Sequence, residues 1–291
     1  MANILITGSS SGFGLQAALS FARNGDRVYA SMRDPEKASA LLHSAAKENL
    51  IVEVKTLDVT RPDTFDDFIQ DMTGEAGSID VLVNNAGLLR AGAFEDLSET
   101  MIREVIDTNL LGPLLLSRAV LPQMRRQKAG YIIMVSSLSG IAGLPGDVAY
   151  TASKFGLEGA TEALRHEVDR WGIKLALVEA GMYATGIMDR SLPEDRVLPD
   201  YYPEDSPYRP LIETNLRALR ERMPEAFAPS IVADLLVEIA ASDGSQLRWP
   251  ADDVATMVLD KMFAHSDTER DEFLRGVAGS DWWSQGLDSA E

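Results

Sequence analysis

The chain has 291 residues, 45% of them hydrophobic and 25% charged, which is enough apolar content to bury a full-sized core in one large domain or two small ones. Its net charge of −18 argues against a nucleic-acid partner and against an anionic membrane surface. With no cysteine, disulfide and thiol chemistry are excluded and the cytoplasm is the expected location, while the scattered His43, His166 and His265 offer no metal-ligand cluster.

Residues 3–6 (NILI) read as a buried parallel strand. The first strand starts at residue 3, so no secretory leader is expected, and no apolar run approaches the about 20 residues of a membrane span. Thr7-Gly8-Ser9-Ser10-Ser11-Gly12-Phe13-Gly14 follows directly, and then Leu15, Ala18, Leu19 and Ala22 recur at helical spacing until Asn24-Gly25 stops the helix. Strand, glycine-rich turn and helix together open a nucleotide-binding βαβ unit. Gly8 allows the tight turn, Gly12 lets backbone N–H groups approach a pyrophosphate at the helix N-terminus, and Gly14 permits close helix packing. Ser9, Ser10 and Phe13 of the same turn are expected at the cofactor. An ordinary flexible turn is the competing reading of the G-x-x-x-G-x-G spacing.

The second strand, 27–32, ends at Arg33. A carboxylate there binds a ribose 2′-hydroxyl, whereas an arginine accepts a 2′-phosphate. Met32 offers no carboxylate and Asp34 lies beyond Arg33, so NADP(H) is expected, with NAD(H) left open. Further strands are predicted at 51–54, 79–83, 131–135, 173–178 and, briefly, 246–249, with helices between them that include 98–126 and 149–170. Strand and helix alternate without a Pro/Gly/Ser linker, which predicts an α/β fold of the Rossmann type: one doubly wound parallel sheet of about seven strands flanked by helices. The expected single unit comprises a core at 1–180, a lid at 182–227 and a tail at 228–291 with a helix, the last strand and Trp282-Trp283.

Ser137, Tyr150 and Lys154 carry the clearest chemistry. Tyr150 and Lys154 are four residues apart, so on a helix they share one face. A free tyrosine has a pKa of about 10, and the lysine charge is expected to lower it, which suits moving a proton on and off an oxygen. A solvated Tyr-Lys pair is the bland alternative. Residues 182–227 contain Tyr183, Ile187, Met188, Leu192, Leu198, Tyr201, Tyr202 and Tyr208, broken by six prolines, and are expected to form the substrate wall. Tyr183 and Met188, with Leu138 and Leu144 from the Ser137–Tyr150 interval, are the candidate substrate contacts; side chains that merely pack the segment down are the other reading. From Glu194 onward acidic residues outnumber basic ones by 12, so the first two thirds carry few net negatives to repel an anionic cofactor.

With these residues in place the sequence resembles the short-chain dehydrogenase/reductase superfamily in its single-domain form, from Asn3 to about Thr185. The resemblance implies that Asp58-Val59 contacts the adenine ring. It places Asn85, Ala86 and Gly87 of Asn84-Asn85-Ala86-Gly87 at the adenosine ribose, and it makes Asn109 the holder of a water beside the catalytic lysine. Gly181, Met182 and Thr185 follow the sixth strand, with Thr185 at the nicotinamide carboxamide. Ala180 stands where the family usually has proline, a local departure. The catalytic set implied is Ser137, Tyr150, Lys154 and Asn109, with Lys154 also bonding the nicotinamide ribose. The segment 28–35 and the long stretch after Thr185 resemble the hydroxysteroid-dehydrogenase-like branch. That implies an NADP(H)-dependent interconversion of a secondary alcohol and a ketone on an apolar or aromatic, steroid-like substrate. A homodimer or homotetramer built on helices 98–126 and 149–170 is also implied. The alternative from another class is a non-catalytic NADP(H)-sensing regulator on the same fold.

Overall fold

The computed structural model describes residues 1–187, 197–285 and 287. Seven strands form one sheet in the order β3-β2-β1-β4-β5-β6-β7, with every adjacent pair parallel. They are β1 (Asn3–Thr7), β2 (Arg27–Met32), β3 (Val52–Thr56), β4 (Val81–Asn84), β5 (Gly130–Val135), β6 (Ile173–Glu179) and β7 (Arg248–Pro250). Apolar runs make these strands because both faces of the sheet are covered, and side chains alternate between the two cores. Ile4 and Ile6, Val81 and Val83, and Ile133 and Val135 enter one core. Leu5, Leu82, Ile132 and Met134 enter the other. The first core is roofed by α1 (Gly12–Arg23), α2 (Ser39–Lys47) and, from far along the chain, α8 (Pro229–Ala241). The second is roofed by α3 (Phe65–Ala76), α5 (Gly112–Gln127) and α6 (Val148–Val168).

The predicted helix over 98–126 is two helices. Ser98 caps α4 (Glu99–Ile106) by accepting from Met101 N, and a π turn over Asp107–Leu111 separates α4 from α5. Pro113 explains the break: it has no N–H to give the carbonyl of Asn109 four residues back, so the regular ladder cannot run through. Likewise the helix expected over 149–170 ends at Val168, and a 3-10 turn (Asp169–Trp171) leads to the left-handed Gly172.

Residues 198–216 fold back as a small cluster over the loop after β4. Leu198, Tyr202, and Ile212 and Leu216 of α7 (Arg209–Arg222) pack on Ala91 and Ala93. Two helices, α9 (Asp253–Ala264) and α10 (Asp267–Ala278), the latter opened by a Ser266/Glu269 capping box, cover the loop after β5. Beyond Gly279 a short helix α11 (Asp281–Ser284) buries Trp282 edge-on to Trp283.

Candidate active site

The sheet changes winding direction between β1 and β4, and the crevice beyond the C-terminal ends of such neighbours is where doubly wound folds place ligands. Here the two following loops touch backbone to backbone. A Cβ added at Gly8, whose φ is +70°, would lie 2.8 Å from Ala86 Cα. One added at Gly14 would lie 2.5 Å from both Asn85 Nδ2 and the Gly8 carbonyl. Asn85 stitches the loops, donating to the carbonyls of Thr7 (2.8 Å) and Gly8 (3.2 Å), and Thr7 Oγ1 accepts from the N–H groups of Asn85 and Ala86. The loop after β6 closes over the turn, since a Cβ on Gly12 would meet Thr185 Cβ at 3.2 Å. Gly87 lies against Asn109 Oδ1 and Gly181 against Leu138, so those loops converge too. Ser9, expected at the cofactor, instead turns inward: its hydroxyl donates to the Ile6 carbonyl and its N–H to the Ser31 carbonyl. Ser10 is half-buried in the turn, and Phe13 packs edge-on against Tyr183. Asp58 accepts from the Thr60 N–H and hydroxyl, while Val59 is buried with its carbonyl against Gly112.

At the end of β2 Arg33 is exposed, whereas Asp34 is committed to the next turn, accepting from Glu36 N at 3.1 Å and facing Lys37 Nζ at 3.8 Å. Such a cradle, where side chains at Gly8 and Gly14 would collide with backbone and one at Gly12 would crowd Thr185, fits a pyrophosphate-bearing dinucleotide.

The second loop pair holds the polar side chains. Ser137 follows β5 and accepts from Ser139 N at 3.1 Å; Tyr150 and Lys154 lie one turn apart on α6. Lys154 Nζ donates to the Val135 carbonyl at 2.8 Å and stands 5.7 Å from the Tyr150 ring centre. Burial pushes the Tyr150 phenol up to about 12, the Ser137 hydroxyl pulls it back, and the charge of Asp147 raises it further. Burial thus outweighs the lowering expected from Lys154, which is itself pushed down to about 8 by burial and whose Nζ donates to a carbonyl. Asn109 is fully engaged, its Oδ1 accepting from Leu88 N and its Nδ2 donating to Leu88 O and Ser153 Oγ. Met182 lies half-buried on the loop after β6, where its carbonyl accepts from Phe227 N.

Of the expected substrate wall, Leu138 and Leu144 border a small apolar cavity of about 60 Å³ with Ala142, Val258, Leu274 and Val277. Tyr183 does not join it. Only 2% exposed, it is held in the core, its hydroxyl donating to Asp252 Oδ2 (2.7 Å) and the Ala251 carbonyl (3.2 Å). Met188 and Leu192 lie outside the described residues. Tyr201 and Tyr208 pin the segment down by donating to the Ala91 carbonyl and Glu95 Oε2. Sequence reasoning missed Asp147, whose carboxyl burial pushes up to about 7 and whose field reaches Tyr150 and Tyr201. Its place three residues before Tyr150 was the available signal. It also missed Glu158 as a partner of Lys154, although the four-residue spacing announces it. Among the described residues no helix is long and apolar enough to cross a membrane, and no cluster of three metal-ligating side chains occurs.

The family model for short chain dehydrogenases matches residues 2–196, two thirds of the chain. The chain belongs to the short-chain dehydrogenase family. It is thus an oxidoreductase of a family that binds NAD(P) and acts on small molecules. This short-chain dehydrogenase is 37% identical over 249 residues to an uncharacterized oxidoreductase, YusZ, of Bacillus subtilis, covering 84% of this chain and 87% of the other. It is 35% identical over 255 residues to retinol dehydrogenase 8 of Bos taurus, covering 84% and 80%. Among solved structures, a short-chain dehydrogenase from Streptomyces avermitilis superposes with a TM-score of 0.75 at 28% identity, covering 98% and 99%. A metagenomic short-chain oxidoreductase in complex with NADP superposes with a TM-score of 0.66 at 26% identity, covering 86% and 95%.

Proposed function

We propose that this short-chain dehydrogenase interconverts a secondary alcohol and a ketone with NADP(H), using Tyr150 as the proton donor and acceptor. The observation that carries the reading is the convergence of the Tyr150 phenol, the Ser137 hydroxyl and the Lys154 ammonium beside a glycine-lined cradle. A bound nicotinamide cofactor supplies or accepts the hydride. The chain's own residues manage the oxygen and its proton. In reduction Tyr150, which keeps its proton at neutral pH, gives it to the carbonyl oxygen as charge develops there. Ser137 donates a hydrogen bond to the same oxygen, and the Lys154 charge supports the phenolate left behind. Asn109 holds the turn against α6, positioning Ser153 next to Lys154. Exposed Arg33, with no carboxylate competing for the 2′ position because Asp34 caps a turn, supports NADP(H). The NADP in the complex of the similar metagenomic oxidoreductase agrees.

The apolar lining at Leu138 and Leu144, and the similarity to a retinol dehydrogenase, support an apolar substrate. A homo-oligomer formed through α5 and α6 is supported by exposed Leu111, Val148 and Phe155 around those helices. Tyr150→Phe should lower turnover by about 10²–10⁴-fold while NADPH binding, followed by nicotinamide fluorescence, persists. A panel of retinoid-like alcohols, steroids, aryl ketones and quinones with NADPH and NADH tests substrate and cofactor together. Unchanged turnover in the phenylalanine variant refutes the role of Tyr150, and no turnover of any panel member favours the sensing regulator.

A further inference from the structure

One helical turn beyond Lys154 lies a group of charges that the proton transfer above does not use. Glu158 shares the face of α6 with Lys154, and both side chains are buried. Glu158 Oε2 accepts from Arg248 Nε at 3.0 Å. Arg248 stands on β7, next to β6, so its guanidinium also comes within 3.9 Å of Glu179 Oε1 and 3.5 Å of Glu162 Oε2. Phe263 of α9 covers that guanidinium, its ring centre 5.3 Å away. Glu158 Oε1 and both carboxyl oxygens of Glu179 are buried, and the Ser136 hydroxyl faces Glu158.

The bond from Lys154 to the Val135 carbonyl satisfies a proton without balancing a charge. Burial drives Lys154 down, and Glu158 is the group that draws it back up. Burial raises Glu158, against which act the Ser136 hydroxyl, Arg248 and Lys154. Glu179 is pushed up to about 8, first by burial and then by the charge of Glu158. Two neighbouring carboxyls in one dry site do not both ionise. Arg248 decides between them, standing 3.0 Å from Glu158 and 3.9 Å from Glu179. Arg248 thus favours the ionised form at Glu158 over Glu179, and Glu158 stands on the helix face between Arg248 and Lys154.

We propose that Glu158 is a positioning residue: its carboxylate, fixed by Arg248 beside a protonated Glu179, holds buried Lys154 in the charged form that Tyr150 needs. This rests on the catalytic reading of Lys154 given above. The test is a pH titration of the Lys154 Cε resonance in ¹³C-lysine-labelled protein, assigned with Lys154→Met, and it needs no substrate. In Glu158→Gln the lysine midpoint should fall by about one unit, and the alkaline limb of ketone reduction should fall with it. Glu158→Asp should restore most of both. A lysine midpoint unchanged in Glu158→Gln overturns the proposal. Should that variant not fold, the parent protein decides: the Glu158 carboxyl carbon must show an ionised carboxylate at about pH 7, and a protonated Glu158 there overturns it. Loss of the Tyr150 role would appear in the Tyr150→Phe turnover and leave this titration unaffected.

Discussion

Gly14 is where a single atom separates a working cradle from a broken one. Its Cβ would enter the space of the Gly8 carbonyl and of Asn85, whose amide ties β1 to the loop after β4. Gly14→Ala should cost about 1–3 kcal/mol, the usual range for overpacking. A urea midpoint should report this, and NADPH binding should weaken in parallel. Asn109 is a different case, because its three hydrogen bonds are internal and two reach the backbone of Leu88. Asn109→Ala leaves those groups unpaired and should lower stability by about 1–3 kcal/mol. A variant of full stability and reduced turnover would assign the residue to chemistry alone. The motif residues at these positions were legible in the sequence because backbone geometry limits what can stand there. Ser9 was not: its type suits a phosphate contact equally well, and only the observed inward hydroxyl shows that it serves the Ile6 carbonyl.

Among the elements, the sheet was the easiest to read. Runs such as 131–135 are apolar on both faces and bounded by breakers, and the strand appears within a residue of its expected limits. The cores that these strands feed make a clear prediction. Leu82→Ala, in the centre of β4 and fully buried, should cost about 2–5 kcal/mol. Leu42→Ala, on the exposed side of α2, should change stability by less than about 0.5 kcal/mol; equal losses in chemical denaturation would contradict the layer assignment. Helix 98–126 was read as continuous because periodicity does not register a one-residue insertion. Pro113 was the warning, and the π turn it produces sets Asn109 against Leu88 and Ser153. Tyr183 was misjudged for a related reason: an aromatic in the loop after β6 suits a pocket or a core, and the choice is made by Asp252, 69 residues away.

Across the whole molecule, the buried carboxyls give stability a definite pH dependence. Burial, and then the charge of Glu158, pushes the Glu179 carboxyl from its ordinary value up to about 8. The folded protein therefore holds a proton that the unfolded chain releases, and stability from this group is full below the unfolded value and declines as pH rises toward 8. Thermal midpoints should drop over that interval more steeply in the parent protein than in Glu179→Gln; a parallel decline would show that Glu179 does not hold the proton. Asp147, raised to about 7, acts in the same direction over the lower part of the interval.

The hydroxyl anchors of the C-terminal segment have a mechanical consequence. Tyr201 grips Ala91, Ser206 grips Asp96 and Tyr208 grips Glu95, across a shared apolar seam. Residues 91–96 and 201–208 are thus clasped into one unit, and separating them would break three hydroxyl bonds together with the seam they span.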